Sequence, residues 1–255
     1  MIIIKQENLN HEIFKAYDNF TNILEIFRFE EPDGYMIIRR SGTNFDIDFF
    51  GVSPLLVNPE LKEILVPYFK GDLFISMNEQ QDELKEYIKS QKMVFWFSSY
   101  DMITDSMNEM TEGKLVPYKG ELERYIHIFG KAFLPLRTEL GFEIPENFAA
   151  DPEYAKNLFE ETNKADSFYG YEVEGKIVGA AYAFGNEVES IAVDPEYQGK
   201  GYGKQLLRGC VSDMLTKHKT VSIGVVEINR KAHKLYESVG FKVTSYRHNY
   251  KNFVE

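Results

Sequence analysis

Two rhythms of apolar and polar residues run through this chain. A spacing of three and four marks helices. Ile13, Phe14, Tyr17, Phe20, Ile23, Leu24 and Phe27 predict an amphipathic helix over 10–29. Leu122, Tyr125, Ile126, Phe129 and Phe133 predict another, ended by Pro135, and Leu206, Leu207, Cys210, Val211, Met214 and Leu215 a third over 203–217. Capping chemistry adds shorter helices: Asn58-Pro59 opens one reaching Val66, Asn78 caps one running to Ser90, and Asp151-Pro152 starts one over 154–162. Residues 229–239 also read as helical. Alternation, or a short apolar run, marks strands. Residues 35–39 and 45–49 read as a hairpin, 73–77 and 93–97 as single strands, and 168–173 and 176–184 as a hairpin over Glu174-Gly175. Strands 188–193, 220–226 and 241–250 complete the set.

The polar stretch from Ser98 to Lys114 interrupts both rhythms. The pattern therefore predicts a smaller α+β domain over 1–100, a linker over 101–115 and a second domain over 116–255. The fold class is α/β, a mixed sheet with flanking helices, antiparallel early and parallel where strand, helix and strand alternate. No glycine-rich turn and no catalytic constellation stand out in residues 1–100. The Asp46-x-Asp48 pair there follows from an alternating strand whose other face carries Phe45, Ile47 and Phe49.

Composition narrows the class. At 255 residues, 44% hydrophobic and 27% charged, the chain has the balance of a globular protein with two cores. Its opening Met1-Ile2-Ile3-Ile4 stops at Lys5, too short for an export signal or a membrane span, and one cysteine forms no internal disulfide. A cytoplasmic location is the expectation. The net charge of −11 is uneven: residues 198–255 hold 11 Lys/Arg against 4 Asp/Glu, a net of +7 inside an acidic protein. A local basic segment suits a phosphate-bearing small molecule, whereas nucleic acid calls for a wider basic surface.

That segment begins with the chain's most informative stretch, Val188 to Leu207. An apolar strand is stopped by Asp194-Pro195; Gln198-Gly199-Lys200-Gly201-Tyr202-Gly203 follows, and a helix starts at once. Glycines let the backbone approach a ligand, and the first N–H groups of a helix favour anions. A P-loop needs Ser or Thr where Gln205 stands after Gly203-Lys204. A dinucleotide fingerprint needs its third glycine at 204, which is Lys204. What remains, Gln-x-x-Gly-x-Gly after Val-Asp-Pro, resembles the pyrophosphate loop of the GNAT superfamily of N-acetyltransferases. About thirty residues on, Asn229-x-x-Ala232-x-x-Leu235-Tyr236-Glu237-x-x-Gly240-Phe241 is similar to that superfamily's second signature. The resemblance covers roughly 116–255 and leaves 1–115 as an extra domain, open to being a degenerate GNAT-like copy.

The resemblance implies a GNAT-like sheet and acetyl-CoA as co-substrate. Its pyrophosphate would rest on the amides of Gly199, Lys200, Gly201, Tyr202, Gly203 and Lys204, with Gln198 at the entrance. The pantetheine arm would pair along Ile191, Ala192 and Val193, and Asn229 would bind the arm through its amide. A backbone N–H around Ile191–Val193 would stabilise the oxyanion. Amine acetylation also needs a base for the ammonium and an acid for the departing thiolate. Tyr236, one helical turn from Ala232 and two from Asn229, is the candidate acid, with a core tyrosine as the other reading. Glu187 falls where several superfamily members carry a base. Glu189 is the second candidate, flanking Val188 on the same strand face as Glu187, and an exposed strand end is the alternative for both. Glu227 is a weaker third.

Cys210 sits on an apolar stripe and reads as core, so direct transfer in a ternary complex is expected. The five histidines have no metal-ligand spacing, and no metal is expected. The partners expected are acetyl-CoA and an amine acceptor, small molecule or protein, with neither nucleic acid nor membrane. The alternatives are an acyl-CoA sensor without catalysis, and a partner-binding or homodimer surface on the first domain around Trp96 and its Phe-rich strands.

Overall fold

The computed structural model describes residues 2–6, 23–30, 33–41, 44–51, 54–107, 115–142 and 168–252. The chain divides into two compact units, Met1–Tyr100 with Ser245–Glu255, and Asp101–Thr244. The sequence reading kept the C-terminal strand with the second domain. The chain instead returns its last residues to the first unit, because Arg247–Lys251 pair antiparallel with Phe74–Asn78.

In the first unit β1 (Ile2–Gln6), β2 (Ile23–Glu30), β3 (Gly34–Ser41), β4 (Asn44–Gly51) and β5 (Leu73–Asn78) lie in sequential order. The first three pairings are antiparallel, and β4 to β5 is parallel through α1 (Pro59–Leu65). The helix expected over 10–29 is corrected at its end: Ile23–Glu30 is a strand held between β1 and β3. Phe27 and Phe29 are buried there, and two neighbouring ladders outweigh the helical spacing of Ile23, Leu24 and Phe27. Residues 10–22 lie outside the described ones. Asn58 caps α1, its Oδ1 accepting from Leu61 N–H at 2.9 Å. Asn78 does not cap α2 (Asp82–Ser90); its Oδ1 accepts from Gln80 N–H instead.

β6 spans Val94–Thr104, so the first residues assigned to the linker are strand. Ser98, Met102 and Thr104 are all buried, so two polar residues sit on the inward side and hid the alternation. Residues 108–114 lie outside the described set.

In the second unit β7 (Leu115–Pro117), β8 (Phe168–Val173), β9 (Lys176–Phe184), β10 (Glu187–Val193) and β11 (Val221–Val226) lie side by side in that order. Glu174 and Gly175, at φ 52° and 77°, make the left-handed two-residue turn expected between β8 and β9. β9 and β10 are antiparallel, and β10 and β11 are parallel. α3 (Leu122–Glu139) buries Tyr125, Ile126 and Phe129 against Phe168, Ile177, Ala180 and Ala192. It does not end at Pro135, which lies inside it; the helix resumes with the Leu140 N–H donating to Leu136 O at 3.0 Å. The proline costs the bond its own N–H would make and no more of the helix than that.

α4 (Tyr202–Leu215) buries Leu206, Leu207, Cys210, Val211 and Met214. Gly209 permits its close approach to β7, since a Cβ there would lie 2.6 Å from Leu115 Cγ. α5 (Arg230–Glu237) and β12 (Lys242–Lys251) follow. The helix expected from Asp151 lies outside the described residues.

Candidate active site

The parallel ladder between β10 and β11 exists only at Glu187↔Ser222 and Val188↔Ile223. On its other edge β10 stays paired with β9 through Val193↔Gly179, with a bulge between Val188 and Ser190. Ser190–Val193 therefore have one edge without a strand among the described residues. In the first unit the corresponding parallel pair, β4 and β5, remains joined over four consecutive positions, Phe45–Asp48 with Leu73–Ser76. The two units thus repeat a strand–strand–helix–strand pattern, and the second opens where the first stays shut.

The opening is a cleft of about 750 Å³. It brings together Ile191, Ala192, Val193, Gln198, Gly199, Gly201, Tyr202, Gly203, Lys204, Asn229 and Tyr236, drawn from three separate elements. Lys200 is not among the lining residues; its ammonium lies over the Tyr197 ring, 5.2 Å from the centroid.

The turn is built for backbone exposure. Gly199 and Gly201 have φ of 78° and 82°, and a Cβ on either would meet nothing within 4 Å. Glycine is needed there for conformation, not for space. Gly201 is the N-cap of α4 and supplies no side-chain cap, so the first-turn N–H groups keep their capacity to bind an anion. Gln198 ties the turn back to the strand, its Nε2 donating to Val193 O at 2.9 Å.

Asp194 fixes the strand end. Its carboxylate accepts from Arg124 Nη2 at 2.6 Å and from the Glu196 N–H at 3.2 Å, and Arg124 Nε donates to Ile177 O at 2.7 Å. Burial raises the Asp194 pKa, but the Arg124 hydrogen bond and charge and the Glu196 amide outweigh it, and the net value lies below the ordinary one. The sequence showed Asp194 as a strand stop and gave no sign of its partner on α3.

Asn229 caps α5, its Oδ1 accepting from Ala232 N–H at 3.2 Å. Its amide nitrogen has no protein partner among the described residues and remains a donor. Tyr236 is 7% exposed and packs on Phe241, ring centroids 6.1 Å apart. Burial pushes its phenol well above the ordinary pKa, so it holds its proton at neutral pH. Cys210 is fully buried, and burial pushes its thiol up too, as a core cysteine requires.

Neither Glu187 nor Glu189 lines the cleft. Glu189 is the residue skipped by the β9 register, so the alternation that placed both glutamates on one face is interrupted at the bulge. The sequence reading also missed one wall: Ala132, Phe133, Pro135, Leu136 and Glu139 of α3 line the cleft. Ending the helix at Pro135 removed them from view. Arg230 and Lys231 were missed as well, although the basic segment contains them. Among the described residues no group of three His, Cys, Asp or Glu is placed to hold a metal, and no helix is long and apolar enough to cross a membrane.

A family model described as acetyltransferase (GNAT) family matches residues 133–241. N-acetylaspartate synthetase of Xenopus tropicalis is 40% identical over 77 residues, 28% of either chain. A ribosomal protein bS18-alanine N-acetyltransferase of Haemophilus ducreyi is 39% identical over 62 residues, 24% of this chain and 43% of that protein. These matches span less than half of the curated relatives' length. Among solved structures, the GCN5-related N-acetyltransferase from Sphaerobacter thermophilus aligns with a TM-score of 0.62 at 13% identity, covering 94% of this chain and 83% of that one. A tandem GNAT protein from the clavulanic acid biosynthesis pathway aligns at 0.57 and 12% identity, covering 91% and 83%. At those identities the likeness is one of fold.

Proposed function

Because the chain belongs, through residues 133–241, to the GNAT superfamily of acetyltransferases, we propose that it transfers the acetyl group of acetyl-CoA to a primary amine. The observation that carries this is the open edge of β10 beside a glycine turn with free amides. An arm bearing amide groups can add to that edge like a strand, while the diphosphate lies on the first turn of α4. Lys204, Arg230 and Lys231 line the cleft without an acidic partner among the described residues, which fits a ligand with several phosphate charges. Acetyl-CoA supplies the activated thioester.

The chain's own residues then have three tasks. The acceptor ammonium loses a proton, for which Glu187 and Glu189 are the candidate bases; since neither lines the cleft, the proton passes through water. The amine nitrogen attacks the thioester carbon, and a backbone N–H at Ile191–Val193 binds the oxyanion, a donor worth ~3 kcal/mol in acyl transfer. The C–N bond forms, the C–S bond breaks, Tyr236 gives its proton to the leaving thiolate, and the nitrogen's second proton is passed through water to restore the Tyr236 phenol. With Cys210 buried, no covalent acetyl-enzyme is part of this reading.

We take the first unit to be a degenerate copy of the same pattern, lacking the glycine turn and the open ladder. Calorimetric titration with acetyl-CoA, followed by thiol release in the presence of a panel of amines, tests the proposal. Binding with amine-dependent thiol release is expected. Absence of binding overturns it, and binding without release to any amine leaves an acyl-CoA sensor.

A further inference from the structure

The cleft is electrically polar. Its three cations, Lys204, Arg230 and Lys231, stand at the N-terminal turns of α4 and α5. Its one carboxylate among the described residues is Glu139. Glu139 is the last residue of α3, where the helix presents its unpaired carbonyls, so a carboxylate is electrostatically disfavoured there. It has no ion-pair partner among the described residues to offset that. Arg137, two positions earlier, holds its guanidinium over the Phe133 ring at 5.7 Å and is not among the residues lining the cleft. A charge at a position that costs helix stability, unpaired and on the wall of a cleft, is better explained by a ligand than by the fold.

Its place along the cleft says which part of a ligand it meets. α3 is anchored at Arg124, whose guanidinium holds Asp194 at 2.6 Å, beside the start of the phosphate turn. From there α3 packs on the sheet, with Ile126 and Phe129 in one buried cluster with Ala180 of β9 and Ala192 of β10. Glu139 stands about fifteen residues, roughly 22 Å of helix, beyond Arg124. It therefore stands well away from the strand end that Arg124 holds, and Phe133 and Leu136 give the same cleft an apolar wall about one and two turns before it.

Resting on the acetyl-transfer reading, we infer that Glu139 selects acceptors that carry a second cationic group joined to the reacting amine by an aliphatic chain, that is, aliphatic diamines. The second ammonium pairs with Glu139, the methylenes lie on Phe133 and Leu136, and the other amine, deprotonated, reaches the thioester.

The test compares 1,6-diaminohexane with hexylamine as acceptors for the full-length protein. Wild type is expected to favour the diamine. In Glu139→Gln the diamine preference falls about threefold to fivefold, the size of one partly solvated ion pair, and the change appears in KM and not in kcat. Glu139→Lys, which adds repulsion, lowers it further. Both changes remove a carboxylate from a helix C-terminus, so neither should lower Tm. Transfer to both amines with a preference unchanged in both variants overturns the assignment of Glu139 alone. No transfer to either amine by a wild type that binds acetyl-CoA overturns this inference alone, whereas absence of acetyl-CoA binding overturns the acetyltransferase reading and this inference with it.

Discussion

Replacing Asp194 by Asn tests whether the strand end and the phosphate turn are held by one ion pair. The Asp194 side chain is 3% exposed and that of Arg124 22%, with a separation of 2.6 Å. An Asn side chain keeps an oxygen for the Glu196 N–H, so the cap survives while the charge is lost. The Arg124 guanidinium then keeps only Ile177 O and whatever water reaches its exposed edge. Breaking a covered pair from one side costs 3–5 kcal/mol, and the partial exposure of Arg124 puts this case near ~3 kcal/mol. For a unit of this size that is a fall of about 6–12 °C in Tm, read by calorimetry on the full chain. The pH dependence supplies an independent check. The folded pKa of Asp194 lies below its ordinary 3.8, so its stabilisation is complete above the unfolded value and disappears as pH falls through the folded one. Wild type and Asn variant should therefore differ fully at pH 6, and the difference should begin to shrink only as pH falls below about 4. A difference under ~0.5 kcal/mol at pH 6, or one that stays constant down to pH 2, would refute the role given to this pair.

Tyr236→Phe removes the proposed acid and keeps the ring; kcat should drop ~10²-fold or more while calorimetry shows an unchanged acetyl-CoA Kd. Equal kcat in both proteins would leave Tyr236 a core residue. Gly201→Ala places a Cβ in open space at φ 82°, so the expected loss is the conformational one, ~1–2 kcal/mol by chemical denaturation. Arg230→Gln should weaken acetyl-CoA about threefold and reduce the salt dependence of its Kd, since this exposed cation meets phosphate through solvent. A salt slope identical to wild type would remove Arg230 from the phosphate site.

The elements most legible in the sequence were those whose local chemistry is self-contained. The Glu174-Gly175 turn, the Asn58 cap and the stripe from Leu206 to Met214 each need only near neighbours to be satisfied, and each formed where its residues said it would. Misreadings arose where a distant partner decided. Ile23–Glu30 has helical spacing and is a strand because β1 and β3 take both of its edges. Ser98 and Thr104 look like linker residues and are buried in β6.

The same division explains the site. The glycine turn could be read because left-handed backbone restricts which residues fit, and that restriction shows in the sequence. The opening of β10 from β11 is implied only by the resemblance, since the corresponding GNAT strand splays from the next; nothing in Ser190–Val193 itself distinguishes a strand with two neighbours from one with a single neighbour. Glu139 could not be singled out, because its place rests on α3 continuing past Pro135 into a wall of the cleft. In the proposed reaction the residues assigned to the common part of the ligand sit in a backbone-constrained motif, whereas the one assigned to the acceptor sits on a helix face placed by tertiary packing. The glycine turn is therefore evident from the sequence, and Glu139 stands out from its neighbours only once α3 is in place.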